Sequence, residues 1–352
     1  MQERSSNMSK KLPFKYPQIT SWTWTAAAFA VLENYENARP WLYNNFIQIF
    51  CEQYEYWISV HYIPHLDVFS NNPFINSALV NRELISSLGI DIIDFVKKNI
   101  DLGYYVYCKV DEGYICREKR FLHELIIFGY EDETESFKIA DFTLTKSQKY
   151  TFSSTSYQNL KKAYESVLNE EDDMQDGIGG NGGIFIFTVN KVYEYQFNLD
   201  ALIVSLEDYL NCSDSGKFYR TYVLDKESKF SKGIQGVCYG LDVYDKVIKY
   251  YEEVREGKNR FYIQPLHVLY DYHVLMVRRL GFLKEKSIVN ISDELYLNYL
   301  NLVNEIEQIR NLGVKYWVTK GRSEIEKIIK SLPNIKEKSK INAEKLIKEL
   351  KR

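Results

Sequence analysis

His123 and Asp141 are the two side chains whose types and spacing best fit acid–base chemistry. The histidine opens an apolar run, Leu125 to Phe128. The acidic stretch from Glu131 to Glu135 then reads as a polar turn. Phe137, Ile139 and Phe142 resume the apolar pattern, with Asp141 among them. Two strands joined by such a turn bring both ends back to one edge of a sheet, so an imidazole meets a carboxylate. That is the base-and-orienter half of a nucleophilic triad. The plainer reading of the same residues is a backbone-bonded core histidine and a turn-capping aspartate.

The elements that must hold the pair are legible on either side. Residues 21–35, "SWTWTAAAFAVLENY", predict an alanine-rich helix capped by Ser21 or Thr23. Residues 38–54, "ARPWLYNNFIQIFCEQY", predict a second helix with Pro40 in its first turn. Residues 81–103 read as two amphipathic helices broken at Gly89 and closed by Gly103. The period then changes: "YYVYCKVDEGYI" alternates as a strand does, and "GIFIFTVNKVYEYQF" supplies one or two strands more. Between them, residues 169–184, "NEEDDMQDGIGGNGGI", read as a loop. Its glycines lack the following Lys and Ser/Thr of a phosphate cradle, and its acids would repel phosphate.

From about residue 198 every segment carries apolar residues at helical spacing, and Pro333 separates the last two. The final segment, rich in lysine, reads as a solvated helical tail. The expectation is α+β organisation: a domain over 1–196 with an antiparallel sheet, then an all-α helical domain over 197–352.

Composition narrows the function classes. Hydrophobic residues make up 45% of the 352, enough to build a sizeable core. With 45 basic and 48 acidic residues the net charge is −3, which gives no basic surplus for a nucleic-acid partner. The five cysteines are widely spaced without a CxxC pair, which fits a reducing cytoplasm and neither a disulfide framework nor a thiolate zinc site. No apolar run reaches the ~18 residues of a membrane span, and the polar N-terminus lacks the apolar core of a secretory signal.

The combination of "WTAAAFAVL", a histidine at a strand start and an aspartate at the end of the next strand resembles the papain-like cysteine peptidase arrangement. Within it, "HELIIFGYED" followed by "FKIADF" is similar to a segment of the butirosin-biosynthesis protein H N-terminal family. "PWLYNNFIQIF", "GYYVYCKVDEGYI", "YGLDVYD" and "QPLHVLYDYHVLMVRRLGFL" also look like segments of related sequences from peptide-synthetase clusters, so the likeness spans most of residues 12–285.

The resemblance implies an acyltransferase that moves an acyl group from a carrier-protein thioester to an amine, forming an amide bond in peptide-like natural-product assembly. It implies His123 as general base, Asp141 as its orienter and Gln18 as an oxyanion donor, with no cofactor or metal. The partners it implies are an acyl or peptidyl carrier protein and an amine substrate. The family's cysteine would stand at the start of the alanine-rich helix, where the helix dipole lowers a thiol pKa. No cysteine is there. "SWTWTA" resembles a Cys-Trp-x-aromatic-Ser-Ala run and puts Ser21 in the nucleophile position; counting six residues on from Gln18 gives Trp24, which cannot attack. Ser21 is either a natural replacement or an inactivating substitution. The alternatives are thioester or amide hydrolysis by the same residues, a non-catalytic protein that binds a carrier protein or intermediate, and a structural dimer.

Other candidates are weaker. Cys108 and Cys116 lie close enough in sequence to His123 to offer a thiol, though apolar core cysteines are commoner. Cys51 reads as buried in the second helix. His61 and His65, with Asp67 beyond, have i, i+4 spacing, but Pro64 argues against a helix that would let them share a metal. His267 and His273 read as core or interface. Trp41, Tyr54, Tyr56 and Trp57 read as core and cleft lining.

Overall fold

A computed structural model describes residues 9–64, 66–69, 72–145, 149–167, 183–216 and 233–352. The chain is α+β, with antiparallel sheets and a helical C-terminal region. It forms two compact units, one of Met1–Glu36 with Leu66–Tyr193 and the other of Asn37–His65 with Glu194–Arg352. The sequence places its boundary after residue 196; the compact units divide after Tyr193, and residues 37–65 fall in the second unit. Elements are numbered along the whole chain. Residues 168–182, which hold most of the acidic glycine-rich stretch, lie outside the described residues.

The first unit is built on a seven-stranded antiparallel sheet. Its strands are β1 (Ser9–Lys11), β4 (Ile75–Asn81), β5 (Tyr105–Asp111), β6 (Leu122–Glu131), β7 (Ser136–Asp141), β8 (Thr151–Ser156) and β9 (Gly183–Val189). They run in the order β4–β9–β5–β6–β7–β8, and β1 adds to β6 where β5 leaves off. Gly129, next to a bulge in β6, makes that addition possible. A Cβ there would sit 2.6 Å from the Lys10 carbonyl oxygen, a distance no side chain tolerates. β5 is buried along its whole length, as its Tyr and Val content favours.

The helices of this unit start and stop where the local chemistry directs. Asp91 caps α4 (Ile92–Asp101), accepting from the Ile93 N–H at 2.8 Å, and Gly103 follows it at φ +88. Asn81 caps α3 (Arg82–Ser87) and Ser156 caps α5 (Tyr157–Glu165). The alanine-rich helix α1 (Thr23–Leu32) is buried along nearly all its length. Its N-cap is Trp22 in extended conformation, so neither Ser21 nor Thr23 occupies the expected cap position.

The second unit departs from the all-helical expectation. Only α2 (Arg39–Asn44) of the expected second helix is helical. Asn45 is extended, Phe46 takes φ +57, and β2 (Gln48–Gln53) then pairs with β3 (Ile58–Ile63). The β-branched and aromatic residues of "QIFCEQ" and "ISVHYI" bury themselves in a ladder more readily than in a helix. Cys51 therefore sits on a strand, opposite Cys238 of β10 (Gly236–Tyr239). The three strands form a sheet in the order β10–β2–β3. Tyr54 and Trp57 stack at 4.1 Å across the β2–β3 turn, while Tyr56 beside them is exposed and Trp41 is buried.

Around this sheet lie α6 (Leu199–Leu210), α7 (Asp242–Arg255), α8 (Gln264–Glu285), α9 (Asp293–Thr319) and α10 (Arg322–Leu350). Gly240, at φ +55, turns the chain from β10 toward α7; a Cβ there would meet the Tyr209 carbonyl oxygen at 2.1 Å. Arg279 of α8 is fully buried. It donates through Nε to the Tyr43 carbonyl at 2.7 Å and through Nη2 to that of Asn45 at 2.8 Å, fastening the turn between α2 and β2.

Pro333 does not end a helix: α10 runs through it. Loss of one backbone bond costs about 3 kcal/mol, and burial of Ile325, Ile328, Leu332, Ile335, Leu346 and Leu350 along one face outweighs it. Nor is the final segment a solvated tail. It packs on α9, α7 and α6, and Lys336, Lys338 and Lys345 pair with Asp245, Glu305 and Glu294. Among the described residues no helix is long and apolar enough to cross a membrane.

Candidate functional site

β6 and β7 bring the predicted pair together. His123 is the second residue of β6, in register with Val110 of β5, and Asp141 is the last residue of β7. Nδ1 of His123 lies 2.9 Å from Oδ2 of Asp141 and 3.1 Å from the Glu124 carbonyl oxygen. The Asp141 side chain is fully buried and the imidazole 17% exposed. Phe121 stacks along the ring at 5.7 Å and Phe142 meets it edge-on at 4.9 Å, so two aromatic rings fix its plane.

Two further residues complete the cluster. Glu112 opens the short turn Glu112–Tyr114 after β5 and is wholly buried. Thr143 follows β7. Its hydroxyl is 2.6 Å from Oε1 of Glu112 and in closer contact still with Oδ2 of Asp141. Its own N–H donates to the same aspartate oxygen at 3.3 Å. Arg117 braces the group: Nη2 donates to the Thr143 carbonyl at 2.7 Å, and Nε lies 3.7 Å from Oε2 of Glu112. Oδ1 of Asp141, also buried, has no hydrogen-bond partner among the described residues, so the carboxylate's bonding is concentrated on Oδ2.

The electrostatics follow from this crowding. Burial works against charge on His123, but the adjacent Asp141 carboxylate, aided by Glu124 and Glu112, outweighs it and lifts the imidazole to about 9. Burial pushes Glu112 up to about 7; its bond to Thr143 opposes the rise and the Asp141 charge adds to it. At neutral pH the ring is therefore an imidazolium, able to give a proton from Nε2 or to stabilise an adjacent anion. Glu112, His123 and Asp141 also offer three metal-ligand atoms within 4.8 Å of one another. In this structure those atoms are bonded to one another and to Thr143, so the three act as hydrogen-bond partners here and not as metal ligands.

The remaining predicted residues lie in the same unit. Ser21 is half-buried and stands just before Trp22, the N-cap of α1. The hydrogen bonds of His123 among the described residues run to Glu124, Asp141 and Thr143, and Ser21 is not one of them. Gln18 is half-buried, and its backbone N–H donates to Oε1 of Glu33 at 3.3 Å. Trp24 stacks on Trp22 at 4.5 Å. The segment before them runs along the sheet. Leu12 donates to the Phe128 carbonyl, Phe14 lies on Phe128 and Phe152, and Tyr16 contacts Phe152 and Tyr150. Phe152 and Thr151 of β8 are in register with Ala140 and Asp141 of β7, so that trail leads to the Asp141 end of the sheet.

The cysteines do not supply a thiolate here. Cys108 is buried on β5 and its thiol is raised to about 11 by burial. The Cys116 sulfur lies 3.9 Å from Oε2 of Glu112, and burial with that carboxylate raises it to about 11 as well. In the second unit, His61 is buried against Phe50 with Glu52 at 3.4 Å, while His65 lies outside the described residues. His273 is a core residue bonded to the Tyr244 hydroxyl at 2.9 Å. Glu112, Thr143 and Arg117 were not foreseen from sequence. The one available signal was register: a turn directly after β5 must stand beside the start of β6.

No family model matches the chain, and no curated protein matches it.

Proposed function

We propose that the first unit is a papain-like acyl-transfer domain. It would pass an acyl group from a carrier-protein thioester to an amine during assembly of a peptide-like product. The observation that carries this reading is the 2.9 Å bond between Nδ1 of His123 and the buried Asp141 carboxylate, which leaves Nε2 as the ring nitrogen for chemistry. The run of residues 12–16 along the strand that pairs with the Asp141 end of β7 supports Ser21 as the acyl-accepting position, just ahead of the start of α1. Gln18 is proposed as an oxyanion donor on the family resemblance alone. Water exclusion decides between transfer to an amine and hydrolysis. The five free thiols suit a reducing cytoplasm.

An imidazolium partner suits a thiolate and hinders a serine, because a ring already charged at neutral pH cannot take the hydroxyl proton. That observation favours a second reading, in which the chain with Ser21 binds a carrier protein or intermediate without turnover. One experiment separates them. Ser21→Cys is expected to become acylated by a simple acyl thioester, seen as a mass increase on the intact chain, and His123→Ala in the same background to abolish it. Acylation that is absent, or indifferent to His123, removes the catalytic reading. Native chain that captures an acyl carrier protein and leaves its thioester intact supports the binding one.

A further inference from the structure

The Thr143 hydroxyl touches one oxygen of Glu112 and one of Asp141, yet it has a single hydrogen to give. Were both carboxyls ionised, one of those contacts would set lone pairs against lone pairs inside a buried cluster. The geometry is satisfied when Glu112 carries a proton. Its O–H then donates to Thr143 Oγ1, the Thr143 hydroxyl donates to Oδ2 of Asp141, and Asp141 also accepts from Nδ1–H of His123 at 2.9 Å.

We propose that Glu112 is a positioning residue for the His123–Asp141 pair, acting through Thr143 by holding a proton that keeps Oδ2 of Asp141 turned to the imidazole. The catalytic sense of that role rests on the acyl-transfer reading, whereas the proton arrangement stands on the contacts alone. When Glu112 loses its proton to solvent, the Thr143 hydroxyl must serve one carboxylate at the expense of the other, and the bond to His123 is altered.

The surroundings agree with such a shared proton. Arg117 stands at 3.7 Å and Cys116 at 3.9 Å from the other oxygen of Glu112; the imidazolium is engaged by Asp141 at 2.9 Å, which leaves Glu112 with a cation at modest distance only. Glu124 lies 3.9 Å from Nε2 of His123, and the buried Tyr150 phenol is raised by burial and by the charge of Asp141. Helix α5, packed on the Glu112 turn, buries Tyr157, Leu160, Ala163 and Tyr164, with the Arg82 guanidinium over the Tyr164 ring. Its Lys161 is engaged by Asp91.

The test uses the full chain labelled with nitrogen-15 at histidine, which carries only five imidazoles. The His123 signal is assigned by its loss in His123→Gln. Its ring shifts are expected to move in two steps with pH, a smaller one near 7 with Glu112 and the main one near 9. Glu112→Gln, whose amide donates to Thr143 as the acid does, is expected to lose the lower step and keep the upper. An infrared difference between wild type and that variant at mildly acid pH should show the carbonyl stretch of an un-ionised carboxyl. A single-step titration in the wild type overturns the proposal without any variant, as does a lower step that survives in Glu112→Gln. One zinc ion retained per chain after dialysis, and lost in Glu112→Gln, also overturns it, because the carboxyls would then face a cation in place of a proton. None of these readouts depends on acylation at residue 21, so failure of this proposal and failure of the acyl-transfer reading are separable.

Discussion

Asp141→Asn isolates what the carboxylate does for His123. The amide oxygen can still accept from Nδ1–H, so the ring keeps its place while the charge disappears. In the native chain the imidazole rises from 6.5 to about 9. At about 1.4 kcal/mol for each pH unit, that tighter hold on a proton is worth about 3 kcal/mol to the folded state. Because the folded pKa is the higher one, the stabilisation is complete below 6.5 and fades as pH rises through about 9. The variant should therefore unfold at lower urea than the native chain at about pH 6, by an amount equivalent to about 3 kcal/mol, and the gap should close by about pH 10. Paired urea titrations at the two pH values, followed by circular dichroism, measure it. A deficit of the same size at both would mean that packing or hydrogen bonding was lost and charge was not, and the electrostatic account of the pair would be wrong.

Two further outcomes concern the second unit. Arg279→Ala strips the donors from the Tyr43 and Asn45 carbonyls in a buried place and should cost about 3 kcal/mol or more by urea unfolding, with Arg279→Lys intermediate because one ammonium cannot fork to both. His273, held neutral by burial, is lowered from 6.5 to about 3, so the folded state binds fewer protons and stability falls as pH drops below 6.5. His273→Gln should therefore lose less stability than the native chain between about pH 7 and pH 4.5, a difference of about 2–3 kcal/mol readable from acid-unfolding curves.

The parts of the fold that could be read from sequence are those where one local pattern decided the outcome. The β6–β7 hairpin announced itself because an apolar run and an alternating one flank an acidic turn, and the pairing brings the start of β6 beside the end of β7, where His123 meets Asp141. The α3–α4 break at Gly89 was equally plain, since a left-handed residue ends a helix. The β2–β3 hairpin was hidden because its turn, Tyr54 to Trp57, holds no Gly or Asn, and its strand pairing with β10 lies far along the chain. β10 is only four residues long and runs straight into α7, whose helical period absorbed it. Glu112 escaped notice because "DEGY" reads as a solvated turn; what buries it is the packing of α5 and Thr143, which belong to later parts of the sequence.

The way the chain is shared between the units bears on how it is made and cut. Strands β2 and β3 leave the ribosome early, but their third partner, β10, is synthesised only after every strand of the first unit. The nascent hairpin must therefore keep an unpaired edge on β2 while β4 to β9 find one another, and such edges invite intermolecular association. For the same reason a fragment beginning at residue 197 would carry β10 with nothing to pair against. Dissection of this protein should instead join residues 37–65 to 194–352 through a new linker, or leave the chain whole.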